Sequence, residues 1–576
     1  MDILPQNETP MDRTHRLIKE KYWDALTRRI DAIHLDQVVT DSKVAAKYDC
    51  VYVPAADEAA TKYFQAIGNS IFSKNRSPEL RVVPLPAPDK ITGEFVRNLD
   101  GAHGLLSLAL ETNPEGKIGG VPYVVPGGRF NELYAWDSYF TVLGLLQDHR
   151  NDLARGIVDN LLYEVQYYGK IPNANRTYYL TRSQPPLLTS VIRAVYDAGM
   201  VDKNWLANAL KLALSEYQNV WLGSERLVKI GHYELSRYYD SGSGPCPEVE
   251  PGHYEEKILP WLTQVPPENP DVPLTAFRFL NEYLYANKHR ELKADGLTLD
   301  AFFKHDRAVR ESGHDTTHRF DDRTADFVSV DLNALLYKYE TDFAELLDSD
   351  FGGKLLALGK DFGDATFWRQ RAALRKEAML ALMWDDQRGF FFDYDFARHQ
   401  RSTYISATGF FALWAKLFDA NDSKELGRAQ RMVAFGCEKL EQPAGLSATA
   451  KESVVAARRH DARQWDYPYG WAPHQMLTWR ALKNYSLDLD AARLAYRWLY
   501  TIVKNAHDYN GTVPEKFNVV TGSHEVFVEY GNVGTKFAYI ATEGFGWMNA
   551  SFEVGMNYLT PDQLADLRLL KTPPQK

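Results

Sequence analysis

The stretch PGGRFNELYAWDSY, from Pro126 to Tyr139, places an arginine, four aromatic side chains and two carboxylates directly after a pair of glycines. Glycines tolerate backbone conformations that other residues avoid, so such a pair can aim the following side chains into a cavity. An aromatic ring stacks on the apolar face of a sugar, and a guanidinium or a carboxylate binds its hydroxyls. The alternative interpretation is a glycine turn that enters a buried helix, with the aromatic residues in the core.

A second stretch of the same character, QWDYPYGWAP, runs from Gln464 to Pro473. The whole chain is rich in such side chains, with 33 Tyr and 13 Trp, which suits a sugar site and also a large helical core. Two polar and aromatic stretches in one chain favour the first explanation. The sequence therefore predicts a carbohydrate-binding pocket to which both stretches contribute.

The composition indicates which partners the protein is expected to lack and which cellular compartment suits it. The net charge of −10 and the absence of a long basic run argue against nucleic acid or an anionic membrane surface as a partner. No secretory signal and no apolar run of about 20 residues are apparent. The three cysteines are far apart and odd in number, so they match neither a disulfide framework nor a CxxC metal site. We expect a cytoplasmic protein with no membrane or nucleic-acid partner; its oligomeric state is not indicated.

Hydrophobic spacing predicts a helical protein. Apolar residues recur at helical intervals in residues 153–165, 188–195, 332–343 and 494–499, whereas strand-like alternation is scarce. Helices over some 450 residues without heptads favour a closed barrel, and the lack of a 30- to 45-residue repeat disfavours a solenoid. We predict an all-α fold, a double-layered (α/α) barrel whose site lies in loops at one end, with short hairpins in those loops.

The N-terminal part is predicted to differ from the rest. Residues 1–20 are polar and are expected to be frayed, residues 22–33 show helical spacing, and residues 40–95 are expected to form an irregular, proline-rich arm. The predicted organisation is an N-terminal arm and helix, residues 1–95, packing on a catalytic domain of residues 96–576.

Three carboxylates stand in loops beside glycine and aromatic residues, where burial can shift a pKa. They are Asp315, Glu515 and Glu529. Each also has an ordinary explanation: Asp315 could cap a turn or pair with Arg310, and Glu515 could be an exposed partner of the next residue, a lysine. The sequence alone does not decide between these roles.

Polar residues that could orient a sugar lie in neighbouring loops, although isolated loop residues are more often turn formers. They are Asn173, Arg182, Ser183, Gln184 and Glu248. The chain has no GxSxG elbow, no phosphate-binding GxxxxGK[ST] loop, no HExxH and no EF-hand loop. Two histidines and an aspartate in residues 305–314 match no metal-ligand spacing, so no metal site is predicted.

The two aromatic stretches closely resemble the signature segments of the trehalases, glycoside hydrolase family 37. The resemblance extends over nearly the whole chain and is nearest to the neutral, cytosolic branch, through runs such as ANRTYYLTRSQPP and HDRAVRESGHDTT. It implies an (α/α)6 barrel that hydrolyses α,α-trehalose to two glucose molecules with inversion of configuration. It also implies that the reaction needs no metal or organic cofactor.

The resemblance assigns roles to individual positions. The general acid falls on Asp315 and the general base on Glu515, while Glu529 matches a glutamate on a loop that closes over the pocket. The remaining sugar-binding positions fall on Arg129, Trp136, Asp137, Asn173, Arg182, Ser183, Gln184, Glu248, Arg310, Gly313 and Trp465.

Some features depart from the family pattern. The calcium-binding extension and phosphorylation sites usual in the neutral branch are not apparent, so neither form of control is expected. Val533, Thr535 and Lys536 alter the segment that follows Glu529. Two alternatives remain open: a catalytically silent trehalose sensor, or a related barrel enzyme for another α-glucoside. The first would be marked by loss of a catalytic carboxylate, and both carboxylates are present.

Overall fold

The computed structural model describes residues 8–41, 43–44, 47–70, 78–99, 101–249, 254, 293–294, 297–458, 462–526 and 543–574. Helices dominate these residues. The α-helices of eight residues or more are α1 Pro10–Leu17, α2 Glu58–Gly68, α3 Ala135–Gln147, α4 Asn151–Tyr168, α5 Leu188–Asp197, α6 Lys203–Glu216, α7 Leu299–Glu311, α8 Val330–Phe351, α9 Ala365–Leu382, α10 Ser423–Leu440, α11 Ala472–Asn484, α12 Asp488–Asp508, α13 Gly546–Gly555 and α14 Pro561–Arg568.

Six helical segments contact one another in an order that closes on itself. In that order they are α3, α5, α8, the short helix Phe411–Trp414, α11 and α13, which packs back against α3. Five further helices lie next in the chain after the first five of these segments: α4, α6, α9, α10 and α12. The closed order is what a double-layered barrel requires, and the prediction of a helix-rich α/α fold is confirmed.

The predicted hydrophobic stripes lie on buried helix faces. In α4, Leu153, Ile157, Leu161 and Val165 are all buried. The stripe predicted at residues 332–343 lies within α8, whose 22 residues are buried over most of their length. Burial of such side chains stabilises the fold by about 1.5–3 kcal/mol each, before the entropy of ordering is counted. The periodicity thus located the helices because their apolar faces pack against the next layer.

The N-terminal predictions are partly wrong. Helix α1 is followed directly by a π-helical turn, Ile18–Tyr22, and a short helix that ends at Ala25, so residues 10–25 are helical rather than frayed. Thr9 caps α1 by accepting the backbone N–H of Asp12, as expected of an N-cap threonine. The helix predicted for residues 22–33 does not continue, since Thr27–Arg28 forms strand β1, which pairs with Tyr123–Val124.

The arm predicted to be irregular contains a small parallel sheet. Strands β2, Asp49–Pro54, and β3, Leu80–Leu85, pair in parallel, and Leu105–Leu106 forms β4 on the other edge of β2. Every residue of β2 is buried, so it is a continuous run without the alternation that would reveal it. The division of the chain near residue 95 stays a prediction.

The other elements are short. The further helical turns are Leu35–Val38, Pro88–Lys90, Gly93–Arg97, Thr177–Tyr179, Tyr217–Trp221, Thr324–Asp326, Leu356–Leu358, Ala407–Phe410, Lys451–Ala457 and Met556–Tyr558. The remaining strands are Leu110–Thr112, Ile118–Gly120, Leu227–Ile230, Tyr233–Ser236, Lys293–Ala294, Leu297–Thr298, Phe327–Val328, Trp384–Asp385, Phe390–Phe391, Tyr394–Asp395, Gln400–Arg401, Glu441–Gln442, Gly445–Leu446, Tyr469–Gly470 and Phe517–Asn518. Most pair as two-stranded ribbons, which agrees with the predicted hairpins.

Within the described residues, no helix has both the length and the apolar character needed to cross a membrane.

Candidate active site

One pocket gathers side chains from loops that are distant in sequence. Its empty volume, measured out to the open mouth, is about 920 Å³. The side chains that line it are Lys43, Pro126, Arg129, Phe130, Tyr134, Trp136, Asp137, Asn173, Tyr179, Arg182, Gln184, Glu248, Arg310, Gly313, Asp315, Gln464, Trp465, Trp471, Glu515, Phe545 and Trp547. Both aromatic stretches contribute, as the sequence predicts.

The glycine pair of the first stretch allows a neighbouring segment of the chain to pack closely against it. Neither Gly127 nor Gly128 has a positive φ, so the expected unusual backbone conformation is not present. A Cβ at Gly127 would instead lie 3.0 Å from the ring of Phe545, to which Gly127 is also joined by an isolated β-bridge. The glycine therefore allows the 126–134 loop to pack against the segment that enters α13, which places both at the pocket.

Asp315 follows the end of α7 through a tight turn. Gly313 has a φ of 73°, and a Cβ there would lie 2.8 Å from Trp136, so only glycine fits the turn against this ring. Asp315 keeps 37 % of its side chain exposed, and it lines the pocket. Gln464 donates a hydrogen bond to the Asp315 carbonyl. The turn thus holds a carboxyl group at the pocket wall.

The protein matrix changes the acidity of Asp315. Although 37 % of the side chain is exposed within the pocket, loss of surrounding water raises its pKa to about 6, against the lowering effect of Arg310 and Arg182. Nη1 of Arg310 lies 3.7 Å from Oδ2 of Asp315. A carboxyl group with this pKa is partly protonated near neutral pH and can donate a proton.

Glu515 lies in the same pocket with a different environment. Nζ of Lys516 lies 3.0 Å from its Oε2, and the backbone carbonyl of Glu515 accepts the indole N–H of Trp547 at 3.1 Å. The pairing with Lys516 that the ordinary explanation expects is therefore present, but Glu515 is only 15 % exposed and the lysine is fully buried. Lys516 also donates to Gln464 at 3.0 Å. A buried cation is thus held beside this carboxylate.

Asp137 is a third carboxyl group of the pocket, in the first turn of α3. Burial, together with the charges of Glu515 and Asp315, raises its pKa to about 8, against the lowering effects of a backbone N–H and of Lys43. Asp137 is consequently mostly protonated at pH 7, when it can donate a hydrogen bond as well as accept one.

The arginine and amide residues predicted to bind sugar lie around these carboxyl groups. Arg182 pairs with Glu248, and both side chains are almost fully buried. The side-chain oxygen of Gln184 accepts the backbone N–H of Trp136 at 2.9 Å, which fixes the start of α3. Asn173 donates its backbone N–H to the carbonyl of Arg182 at 3.0 Å. These contacts hold the polar loops in register with the helix.

An aromatic cluster forms another wall. The rings of Trp465 and Trp471 stack in parallel with centroids 3.9 Å apart. Trp136 lies 5.6 Å from Trp465, and Trp547 packs edge-on against Trp136, Trp465 and Trp471. Flat, rigid rings of this kind suit the apolar face of a sugar.

One predicted site residue, Ser183, is absent from the described lining, and another, Glu529, cannot be compared with it. Ser183 is fully buried; its backbone N–H donates to Glu311 and its hydroxyl to the carbonyl of Ile171, so it supports the loop from behind. Glu529 lies outside the described residues, together with the altered positions 533, 535 and 536. The prediction of a closing loop there stays a prediction.

Several lining residues have no site role assigned from the sequence. Tyr134, Gln464 and Trp471 lie inside the two aromatic stretches. Phe545 and Trp547 lie inside ATEGFGWMNASF, residues 541–552, a further run of the resemblance, so position was the available signal for all five. No sequence signal marked Lys43 as a pocket residue, because it belongs to the N-terminal arm. Its ammonium group donates to Tyr134 and, at 3.4 Å, to Tyr179. The arm thus supplies a residue of the pocket.

Comparison with known proteins agrees with this architecture. The family model described as Trehalase matches residues 1–560. The chain is 42 % identical to the cytosolic neutral trehalase of Kluyveromyces lactis, with 97 % of this chain and 73 % of that protein covered. It is equally identical to the cytosolic neutral trehalase of Saccharomyces cerevisiae, over 96 % of this chain and 72 % of the relative.

The solved structure of neutral trehalase from Saccharomyces cerevisiae superposes with a TM-score of 0.84 at 38 % identity, covering 98 % of this chain and 97 % of that one. Sequence and fold thus agree over nearly the full length. The chain belongs to the trehalase family.

Proposed function

We propose that this protein is an α,α-trehalase, which hydrolyses trehalose to two glucose molecules in the cytoplasm. Membership of the trehalase family and full-length similarity to cytosolic neutral trehalases support the substrate, the reaction and the compartment. The observation that carries the mechanism is the pairing of Asp315 and Glu515 in one pocket, each with a different electrostatic environment.

In the proposed mechanism, Asp315 is the general acid and Glu515 the general base. Asp315 gives its proton to the glycosidic oxygen, while Glu515 takes a proton from a water molecule that attacks the opposite face of the sugar. This pair of roles gives inversion and requires the two carboxyl groups to stand roughly 6.5–9.5 Å apart. The raised pKa of Asp315 suits the acid, and the ammonium group of Lys516 suits a base that must be anionic.

The other pocket residues bind and orient the substrate in this proposal. The guanidinium groups grip hydroxyls, the indoles stack on the rings, and protonated Asp137 donates a hydrogen bond to a sugar hydroxyl. The residues assigned to binding are Arg129, Trp136, Asp137, Asn173, Arg182, Gln184, Glu248, Arg310, Gly313 and Trp465, with Ser183 as a support and Glu529 on the closing loop. The two-carboxyl reaction itself needs no metal or organic cofactor.

We also propose that residues 96–576 form the catalytic domain and that residues 1–95 pack on it. Contacts of α1 with α12 and α14, and the position of Lys43 in the pocket, support this arrangement.

Proton NMR of the anomeric signals tests the reaction. With α,α-trehalose as substrate, we expect equal initial amounts of α- and β-glucose, because one ring leaves with its anomeric centre unchanged. Release of α-glucose alone would indicate retention and overturn the roles of Asp315 and Glu515. Trehalose binding without any release of glucose would instead make the protein a sensor.

A further inference from the structure

Three side chains that the proposed reaction does not use meet at the other end of α3. His15 belongs to α1, Asp148 follows the last residue of α3, and Glu553 lies near the end of α13. Each offers one ligand-type atom, and the three atoms lie within 4.8 Å of one another. Nδ1 of His15 lies 2.7 Å from Oε2 of Glu553.

This cluster is separate from the pocket. Asp137 lies in the first turn of α3 and Asp148 caps its other end, which at 1.5 Å per residue places them about 16 Å apart along the helix axis. The His15, Asp148 and Glu553 side chains do not line the pocket. Whatever occupies the cluster therefore acts on the scaffold rather than on the sugar.

The cluster has two buried oxygen atoms without a hydrogen-bond donor. No N–H or hydroxyl donor of the described residues reaches Oδ1 of Asp148 or Oε1 of Glu553, although the two carboxyl groups lie close enough to hydrogen-bond to each other when one is protonated. Asp148 is only 3 % exposed and Glu553 is fully buried. Buried carboxylate oxygens are ordinarily paired, so these two atoms indicate a missing partner.

The other contacts hold the cluster in place. The indole N–H of Trp23 donates to Oδ2 of Asp148 at 2.6 Å and leaves Oδ1 directed elsewhere. Such outer hydrogen bonds orient metal-binding carboxylates. His15 is 39 % exposed, so solvent and ions can reach the cluster from its side.

Two partners could satisfy these oxygens. A proton shared between the two acids is one, and burial does raise the pKa of Glu553 to about 7 and the pKa of Asp148 above its usual value. A divalent cation is the other, since it would neutralise both carboxylates and also bind the imidazole. Three ligands of the His and carboxylate type suit zinc, with metal–ligand distances of about 2.0–2.2 Å and water as a fourth ligand. A shared proton bridges only the two acids, with His15 bonded to Glu553 alone, whereas a cation would bind all three side chains at once.

We propose that His15, Asp148 and Glu553 bind one divalent cation of the zinc type, which ties α1 to the ends of α3 and α13. The two unpartnered carboxylate oxygens and the accessible imidazole carry this assignment. The three ligands come from the two extremes of the chain and its first barrel helix, so the cation would resist separation of α1 from the barrel.

The test uses the full-length protein after removal of metals with a chelator. Zn²⁺ is added in titration calorimetry and in thermal unfolding, and Co²⁺ in visible absorption spectroscopy. We expect one Zn²⁺ per chain, a higher unfolding temperature with Zn²⁺, and cobalt bands of a low-coordinate site. His15→Ala should lower Zn²⁺ affinity at least tenfold and abolish the temperature shift.

A matched control is His507→Ala, which removes an exposed histidine that pairs with a single carboxylate, Asp508, at 2.9 Å. This variant should keep full Zn²⁺ binding. Equal Zn²⁺ responses in wild type and His15→Ala, or no stoichiometric binding to wild type, would overturn the proposal and leave a shared proton as the occupant.

Glu553→Gln removes a second proposed metal ligand. If that buried substitution prevents folding, His15→Gln on the accessible side keeps the test possible, with the same expected loss of affinity. None of these readouts uses trehalose, so failure of the proposed enzymatic function and failure of the metal site are distinguishable.

Discussion

Nη1 of Arg310 lies 3.7 Å from Oδ2 of Asp315, so a positive charge faces a carboxyl group whose pKa burial has raised to about 6. The two effects oppose each other. Burial favours the protonated form that a general acid needs, and the guanidinium limits how far the pKa rises. Their balance places the acid near neutral pH.

Arg310→Gln should therefore shift the alkaline limb of the pH profile to higher pH. Arg310 lowers the pKa of Asp315, so its removal raises that pKa, and the acid stays protonated up to a higher pH. We expect kcat/KM to fall overall and its alkaline limb to move up by roughly one unit. The exposed Arg388 lies outside the pocket, and Arg388→Gln should leave the limb in place. A downward shift in Arg310→Gln would contradict this electrostatic account.

Asp315→Asn and Glu515→Gln should each remove turnover while keeping trehalose binding. Each substitution preserves shape and removes one proton-transfer step, which contributes about 10²–10⁴-fold to the rate. The rate of glucose release at saturating trehalose gives kcat. Calorimetry gives the trehalose affinity, which we expect to change by less than about tenfold. Near-normal turnover in Glu515→Gln would transfer the role of base to Glu529.

Asp137→Asn should be a mild substitution at low pH. Because the pKa of Asp137 is about 8, the wild-type side chain is mostly protonated below pH 7, and asparagine is also a neutral donor. Above pH 8 the wild-type carboxyl group ionises beside two other carboxylates, whereas asparagine does not. The ratio of variant to wild-type kcat/KM should consequently rise between pH 6 and pH 9. A variant as inactive at pH 6 as Asp315→Asn would show instead that an ionised Asp137 is required.

Gly127→Ala should destabilise the protein and reduce activity. The new methyl group would lie 3.0 Å from the Phe545 ring, and overpacking of this kind costs about 1–3 kcal/mol. Gly427→Ala is the control with the opposite sign: this helical glycine has nothing within 4 Å of the added Cβ, so alanine should stabilise by about 0.5–1 kcal/mol. Chemical denaturation measures both changes. Equal stability of Gly127→Ala and wild type would remove close packing as the reason for this glycine.

Much of the fold followed from local patterns. The stripe of residues 153–165 located α4, and the absence of alternation elsewhere predicted an all-helical barrel, because helices bury one face at a fixed period. The same rule failed at the N-terminus. Helix α1 is only eight residues long, with Met11 and Leu17 as its buried apolar residues, so its helical period is too brief to stand out. Strand β2 is buried on both faces and shows no alternation.

The sequence by itself identified most of the residues that carry the chemistry of the pocket. The two aromatic stretches and the carboxyl groups Asp315 and Glu515 are chemically distinctive wherever they fold, and their motifs identify the family. Tertiary structure alone decided the pKa values and the spatial neighbours of the residues. It raised the pKa of Asp137, placed Lys43 in the pocket and brought His15 into contact with Glu553, 538 residues away in the chain. Residue types and spacing are local properties of the chain, whereas burial and electrostatic fields depend on distances that exist only after the barrel closes.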